Sequence, residues 1–500
     1  MNGQNNIVAI EMGSSKIQAI AVKKLDNQSY TILAYAKEDA KEFIKKGKII
    51  NIDLASDAIL RLKKQLESAI GQEVTKAYVA FSAKGIHSQK STVSQGVPGG
   101  EKVTQEIVDQ LFEENRANAE ELGYILDVEP QEYLVGNNKV QSPVGNIGES
   151  ITAEYLNIIG KEEITKNLEL SFQAAGLEIA ESFLIPKMEA AALLKANDKK
   201  GGCVLVDLGA GTTTVSIYKA QLLRRLTVLP FGQELVTRDL ESLRMEYEDA
   251  EQLKMKYLDT QYLGSMDENS KDETIQTLEG RQIKKVEFHK VAMARIDEII
   301  KNVQQQIILS GLHDKLLNGI ILCGGGSQIP NIEEEFRKVI KELPIKTVTM
   351  PVIDCVPCPE APQLKDIPAL LGLIEKACED CFQDKKEEEK KPVPAPVEDD
   401  ITTGVKEIMS DQPKPKPKKK TSLFGDIFNK VVNTFGDDDE EEIDPAEAER
   451  KERERKEKEE RKRKAAERKR LEKQRKEEEK KRKESEQGSF FGGLFNDDDM

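Results

Sequence analysis

The chain has 500 residues, 38% hydrophobic and 33% charged, with a formal net charge of -15. That length allows two or more domains with their own cores. The negative balance argues against general nucleic-acid binding, which needs basic surface to displace counterions. No run of 18 apolar residues occurs, and the opening "MNGQNNIVAI" lacks a basic segment followed by an apolar one. The expectation is a cytoplasmic protein without a transmembrane helix or signal peptide, whose membrane contact is peripheral.

Residues 7–382 read as α/β, with short Val/Ile/Leu strands alternating with helical patterns such as "SDAILRLKKQLESAI" (56–70) and "EITKNLELSFQAAG" (163–176). The first strand pair, "VAIEMGSSKIQAIAV" (8–22), turns through Gly13, Ser14, Ser15 and Lys16. Backbone N–H groups, two hydroxyls and an ammonium at one tip can wrap a phosphate. Alone the signal is weak, because many hairpins carry Gly-Ser for turn geometry.

A second hairpin, "CVLVDLGAGTTTVSIY" (203–218), repeats the plan: strand, carboxylate, glycine turn (Gly209, Ala210, Gly211), hydroxyls (Thr212, Thr213), strand. Glu11 and Asp207 each stand two residues before a glycine. The matched pair points to duplicated halves facing each other across a cleft, with a phosphate chain clamped between the turns. The two carboxylates would then hold Mg²⁺ through water and position a hydrolytic water.

The third turn, "GIILCGGGSQIPNIEEEF" (319–336), runs a buried strand into Gly324, Gly325, Gly326 and Ser327, then into a helix with Asn331 as expected cap. Glu333 to Glu335 occupy the first helical turn and would repel phosphate, so this turn suits a neutral adenosine. In "EDAEQLKMKY" (248–257), Glu251 and Lys254 share a helix face and could grip ribose hydroxyls and adenine edges; the plainer alternative is an exposed ion pair.

Six cysteines are too few for a secreted disulfide framework. Cys203 and Cys323 lie in apparent buried strands, while Cys355, Cys358, Cys378 and Cys381 have spacing that fits a zinc ribbon on paper. Against zinc, Cys378 and Cys381 would end a helix starting near Pro368, leaving the other pair to fold back along it.

From Lys385 the composition changes. Residues 383–420 read as a flexible Lys/Glu/Pro linker. In "TSLFGDIFNKVVNTFG" (421–436), Leu423, Phe424, Ile427, Phe428, Val431, Val432 and Phe435 fall on one helical face. An isolated helix of this length is marginal in water and needs a surface. Five lysines in "PKPKPKKK" (413–420) favour anionic lipid, with a protein groove as the alternative. Residues 437–500 carry an acidic run, a segment rich in Glu, Lys and Arg without an apolar seam, and a terminal "SFFGGLFN" (489–496). The charged segment reads equally as a solvated lone helix or as disorder. The terminal patch reads as a second weak membrane contact or a linear motif.

Two phosphate hairpins and a downstream glycine turn resemble the actin and heat-shock-chaperone ATPase superfamily. The stretches "VEPQEYLVGNNKVQSPVGNIGESITAEYLNIIG" (128–160), "FQAAGLEI" (172–179), "LTVLPFGQELVTRDLE" (226–241) and "EDAEQLKMKY" are similar to the FtsA family of bacterial cell-division proteins. The resemblance covers about residues 5–380. It implies an actin-like fold of two RNase-H-like halves, the first from 5–71 and 159–198 and the second from 199–382. A 1C-type subdomain is expected at 72–158, with its helix at "TQEIVDQLFEENRAN" (104–118), and an upper subdomain at about 232–310. It implies ATP and Mg²⁺ in the cleft, at most slow hydrolysis, self-association into filaments, recruitment of FtsZ and other division proteins, and a membrane-binding C-terminal helix. The place implied is the cytoplasmic face of the inner membrane at the division site.

The chain departs from the family pattern at Glu11, where the family usually has Asp, at Thr214, where it has an acid, and at "FGQE", which replaces a double glycine. Catalytic geometry tolerates little displacement, so a nucleotide-independent scaffold stands as the first alternative. Others are a sugar-kinase-like phosphotransferase and an adaptor similar to the pilus-assembly protein PilM.

Overall fold

The computed structural model describes residues 6–25, 29–119, 123–266, 272–278, 280–348 and 350–383. All belong to one compact unit, Met1–Lys391. The expected membrane helix at 421–436, the 437–500 extension and the expected linker from residue 384 on lie outside the described residues.

Strand β1 (Asn6–Met12) pairs antiparallel with β2 (Lys16–Lys24), which pairs with β3 (Tyr30–Asp39). Both faces of β1 and β2 are buried, which is why they read as near-continuous apolar runs. Helix α1 (Ile52–Ile70) packs on β2 and β3. It starts four residues before its apolar pattern because Asn51 Oδ1 accepts the Leu54 N–H at 3.0 Å. Strand β4 (Lys76–Phe81) then pairs parallel with β1. This segment falls within the 72–158 expected for the inserted subdomain, but its fully buried alanines and valine instead complete the first core.

The insert's own sheet begins at β5 (His87–Gly96) and continues through helix α2 (Gln105–Ala119), β6 (Tyr124–Val135), β7 (Asn138–Val140) and β8 (Ser150–Gly160). It has a separate small core containing Val93, Leu111, Ile151 and Tyr155. The chain returns through α3 (Glu162–Ala174) to β9 (Glu178–Leu184), which pairs with β4, and into α4 (Ile185–Leu193).

The second half repeats the opening plan with β10 (Cys203–Leu208), β11 (Thr213–Lys219) and β12 (Leu222–Leu229). Helices α5 (Gln233–Leu240), α6 (Tyr247–Tyr257) and α7 (Lys285–Leu309) build its core around Phe288, Ile296 and Ile300. Strand β13 (Ile320–Cys323) lies parallel beside β10, followed by α8 (Ile332–Val339) and β14 (Ile345–Thr347). The chain then crosses back to add β15 (Cys355–Val356) beside β3 and α9 (Pro368–Lys376) on the first half.

Two large sheets result among the described residues, with strand orders β9-β4-β1-β2-β3-β15 and β7-β6-β8-β5-β12-β11-β10-β13-β14, beside three two-stranded ones. The insert interrupts the first half in sequence, yet its sheet continues that of the second half through one residue pair, Thr227 opposite His87. Arg224 reinforces this seam, reaching Gln131 at 3.2 Å and Glu132 at 3.5 Å, while Lys187 of α4 ties the insert to the first half by pairing with Asp127 and Glu129.

Helix α9 packs against α4 at Gly372, where an added β-carbon would collide with the Met188 carbonyl. Replacing a mid-helix glycine by alanine ordinarily gains about 0.5–1 kcal/mol. Here overpacking against backbone costs about 1–3 kcal/mol and wins. Gly372→Ala is therefore expected to lower the urea midpoint; a raised midpoint would show that α4 and α9 part freely.

Candidate functional site

The three glycine turns predicted from sequence bound one cleft of about 520 Å³ between the halves. The β1–β2 turn lines it with Gly13, Ser14, Ser15 and Lys16, and the β10–β11 turn with Gly209, Ala210, Gly211 and Thr212. The turn after β13 contributes Gly324, Gly325, Gly326 and Ser327. Thr213, expected with these, is fully buried and does not line the cleft.

The turns lie against one another because they lack side chains. A β-carbon on Gly211 would stand 2.5 Å from Ser14 Oγ, which itself accepts the Gly47 N–H at 2.8 Å. Gly324 has a left-handed φ of 80°, and a β-carbon there would collide with Asp207 Oδ1. The second turn is also seated on the start of α5, where the Gln233 and Glu234 N–H groups donate to the Gly209 and Ala210 carbonyls at 3.0 and 2.9 Å. Both are backbone bonds that any residue but proline can donate, so the "FGQE" departure leaves them intact.

Three of the six carboxylates lining the cleft, Glu11, Asp207 and Glu189, influence one another's charge. Glu11 Oε2 accepts from Gln18 Nε2 at 2.7 Å, and Gln18 Oε1 accepts from the Tyr35 hydroxyl at 3.2 Å. Burial pushes the Glu11 carboxyl above its ordinary range, opposed by the Gln18 bond and the Lys16 charge. Burial, and then the Glu11 charge, push Asp207 from its ordinary 3.8 up to about 7. Glu189 of α4 is only 5% exposed and its Oε2 has no hydrogen-bond partner. Burial and then the neighbouring Asp207 and Glu11 charges push it well above the carboxylate range. Sequence analysis missed Glu189; the available signal was one acid in the apolar helix "IPKMEAAAL".

Toward α6 the lining becomes more apolar, with Tyr247, Met255, Leu258, Ile329 and Pro330. Glu251 and Lys254 are both present there, but not as a free surface pair. Lys254 is 7% exposed and donates to Glu251 at 2.6 Å, to Thr237 Oγ1 at 2.7 Å and to the Gln233 carbonyl at 3.3 Å. Glu251 also accepts from the Thr237 hydroxyl. This network anchors α6 to α5 and leaves Glu251 as the more exposed partner.

Asn331 stands at the N-cap position of α8 as expected, but its side chain makes no capping bond; its Nδ2 donates instead to Asp259 Oδ1 at 2.8 Å. The helix at Pro368 ends at Lys376, before both Cys378 and Cys381. The Cys381 N–H donates to the Asn6 carbonyl on β1, whereas Cys355 lies on β15, three strand spacings away at roughly 14 Å. The CxxC pairs therefore form no zinc set. Among the described residues the one group of three or more metal-ligating side chains is Glu189, Asp207 and Cys323.

Two family models match the chain, "Cell division protein FtsA" over residues 204–360 and "SHS2 domain inserted in FTSA" over residues 83–159. The cell division protein FtsA of Porphyromonas gingivalis is 30% identical over 365 residues, covering 71% of this chain and 75% of that protein. That of Bacillus subtilis is 28% identical over 352 residues, covering 68% and 78%. A solved PilM-PilN type IV pilus biogenesis complex superposes with a TM-score of 0.52 at 13% identity, over 74% of this chain and 98% of that one. At that identity the likeness speaks for the fold alone. The architecture is actin-like, with an SHS2 insert.

The carboxylate cluster sets a pH dependence. The folded chain keeps the Asp207 proton up to about pH 7, whereas the unfolded chain releases it near 3.8. The folded state therefore binds more protons in that window, and stability falls as pH rises through it. Glu11 and Glu189, also raised, act with the same sign. In ligand-free protein, Asp207→Asn should flatten this slope and unfold at higher temperature than wild type at about pH 8. Parallel melting curves from acid to alkaline pH check this; an unchanged slope refutes it.

Proposed function

The chain belongs to the FtsA family of cell-division proteins, and from that premise we propose that it binds MgATP in this cleft. We propose further that it assembles into filaments on the cytoplasmic face of the membrane at the division site. There it tethers FtsZ through its upper subdomain and recruits later division proteins.

The observation that carries the nucleotide reading is the convergence of three glycine turns and Lys16 on one cleft. The residues present fit such a ligand. Backbone N–H groups of two hairpin tips, with the Ser15 hydroxyl and the Lys16 ammonium, offer donors to a phosphate chain. The more apolar end beside Tyr247, Ile329 and Pro330 suits a purine, with Glu251 placed to accept from ribose hydroxyls. Glu11 and Asp207 would hold hydrated Mg²⁺, which when bound neutralises the charge of the phosphates. The orphaned Oε2 of Glu189 adds a buried polar atom that a filled cleft would satisfy. Glu11 has one oxygen committed to Gln18, which orients the carboxylate and leaves the other oxygen for the hydrated cation.

The membrane part rests on sequence. Leu423, Phe424, Ile427, Phe428, Val431, Val432 and Phe435 form one apolar helical face behind a lysine-rich stretch. Among the described residues no helix is long and apolar enough to cross a membrane, and an interfacial helix needs none.

Titration calorimetry with MgATP should show one site per chain. Lys16→Ala should weaken it roughly tenfold or more, the cost of one charge-assisted phosphate contact. Absence of heat, together with failure to displace a fluorescent ATP analogue, would leave the scaffold reading in its place. Anionic liposomes should pellet the full-length protein, more so with MgATP, whereas a Phe424→Glu/Phe428→Glu variant should stay in the supernatant. Wild type remaining soluble in both conditions would turn both aromatic patches into partner motifs.

A further inference from the structure

Beneath the phosphate turns the structure places a second kind of ligand set. Asp207 on β10 and Cys323 on β13 are direct neighbours across a parallel pair. Side chains at paired positions of adjacent strands leave the sheet on the same face. Glu189, from α4, comes to the same place: its carboxylate, that of Asp207 and the Cys323 sulfur lie within 4.8 Å of one another. Glu189 is 5% exposed with Oε2 unpartnered, and Cys323 is 3% exposed. A buried carboxylate oxygen without a donor is costly unless something fills the gap.

We propose that Glu189, Asp207 and Cys323 form a binding site for a thiophilic divalent cation, Zn²⁺ or one of similar chemistry, at the floor of the cleft. Two carboxylates and one sulfur suit such an ion. Mg²⁺ prefers oxygen and keeps its water, so a thiophilic ion bound here differs in kind from a hydrated magnesium on a phosphate chain, although the two would share Asp207. Three protein ligands leave a fourth position open. All three ligands line the cleft, so the open position faces it. Binding breaks the Cys323 S–H bond, which now donates to the Val206 carbonyl at 3.6 Å. The proton goes to solvent and a sulfur–metal bond forms. The ion neutralises carboxylates at the cleft floor when no nucleotide is present, so the site stands whether or not the cleft takes ATP.

Co²⁺ is the probe, because a thiolate bound to it absorbs in the near ultraviolet. The protein is the nucleotide-free full chain carrying Cys358→Ser and Cys378→Ser, which removes one thiol from each CxxC pair. One equivalent of Co²⁺ should raise the thiolate band, and Zn²⁺ should bleach it. Adding Cys323→Ser should abolish the band, and Glu189→Gln should weaken Co²⁺ binding roughly tenfold or more. Stoichiometric Zn²⁺ should raise the melting temperature of the background protein but not of its Glu189→Gln form. No band in the background protein, or a band that survives Cys323→Ser, overturns the proposal. Should Cys323→Ser fail to fold, an unchanged Co²⁺ affinity in Glu189→Gln overturns it equally.

Discussion

The cleft depends on close approach of backbone to backbone. Gly211 leaves room for Ser14, and Gly324 leaves room for the Asp207 carboxylate. The three turns can meet only because those positions carry no side chain. Once they meet, the second turn has no freedom left: its carbonyls are held by the first N–H groups of α5, and α5 is held to α6 by the buried Lys254 network. A turn fixed from both sides presents its donors without further ordering, so a ligand there forfeits little entropy in organising its own site.

Helix α4 links this constraint to the rest of the molecule. Within three consecutive residues it sends Lys187 to the acidic pair Asp127 and Glu129 on the insert, packs Met188 against α9, and presents Glu189 to the cleft. Any change in the charge or position of Glu189 is felt by a helix that also grips the insert. The joint between insert and second half combines a β-pair, backbone bonding between Val228 and Ile86, a few polar side chains, and a shared buried cluster that includes Ile86, Leu156, Ile158, Leu226 and Val228. The insert is therefore packed against the second half as well as gripped by α4.

Much of the site could be read in the sequence, for a physical reason. A glycine turn between two apolar strands is a local device, and its residues are adjacent in the chain. Gly13 to Lys16, Gly209 to Thr212 and Gly324 to Ser327 were all legible, as were both carboxylates spaced two residues before a glycine. Glu189 was not, because its role comes from contacts between α4, β10 and β13 that no local pattern encodes. Lys254 had the spacing of a surface pair, and only the packing of α5 beside α6 buries it. Asn331 had the identity of a cap, but Asp259 competes for its side chain and wins. The CxxC spacing failed for the same kind of reason: the pairs lie beside strands at separated positions of one sheet, a distance fixed by topology. The division into halves with an insert was legible, whereas the attachment of the insert's sheet to β12 was not, since pairing partners across more than a hundred residues leave no periodic trace.

The electrostatics of the cleft tie stability to occupancy. Glu11, Asp207 and Glu189 are clustered where burial disfavours their charged forms. The fold could have avoided this by placing an apolar residue at 189, inside a helix that is otherwise apolar on its buried side. A carboxylate there is retained at the expense of the empty state, since the ionised group lacks a full set of donors. Whatever cation or donor enters the cleft relieves that penalty, and the relief adds to its binding free energy. The occupied form is then favoured twice, once by the ligand's own contacts and once by the repulsion it removes. A protein built this way is less stable empty than filled, and its folded fraction follows its ligand by mass action.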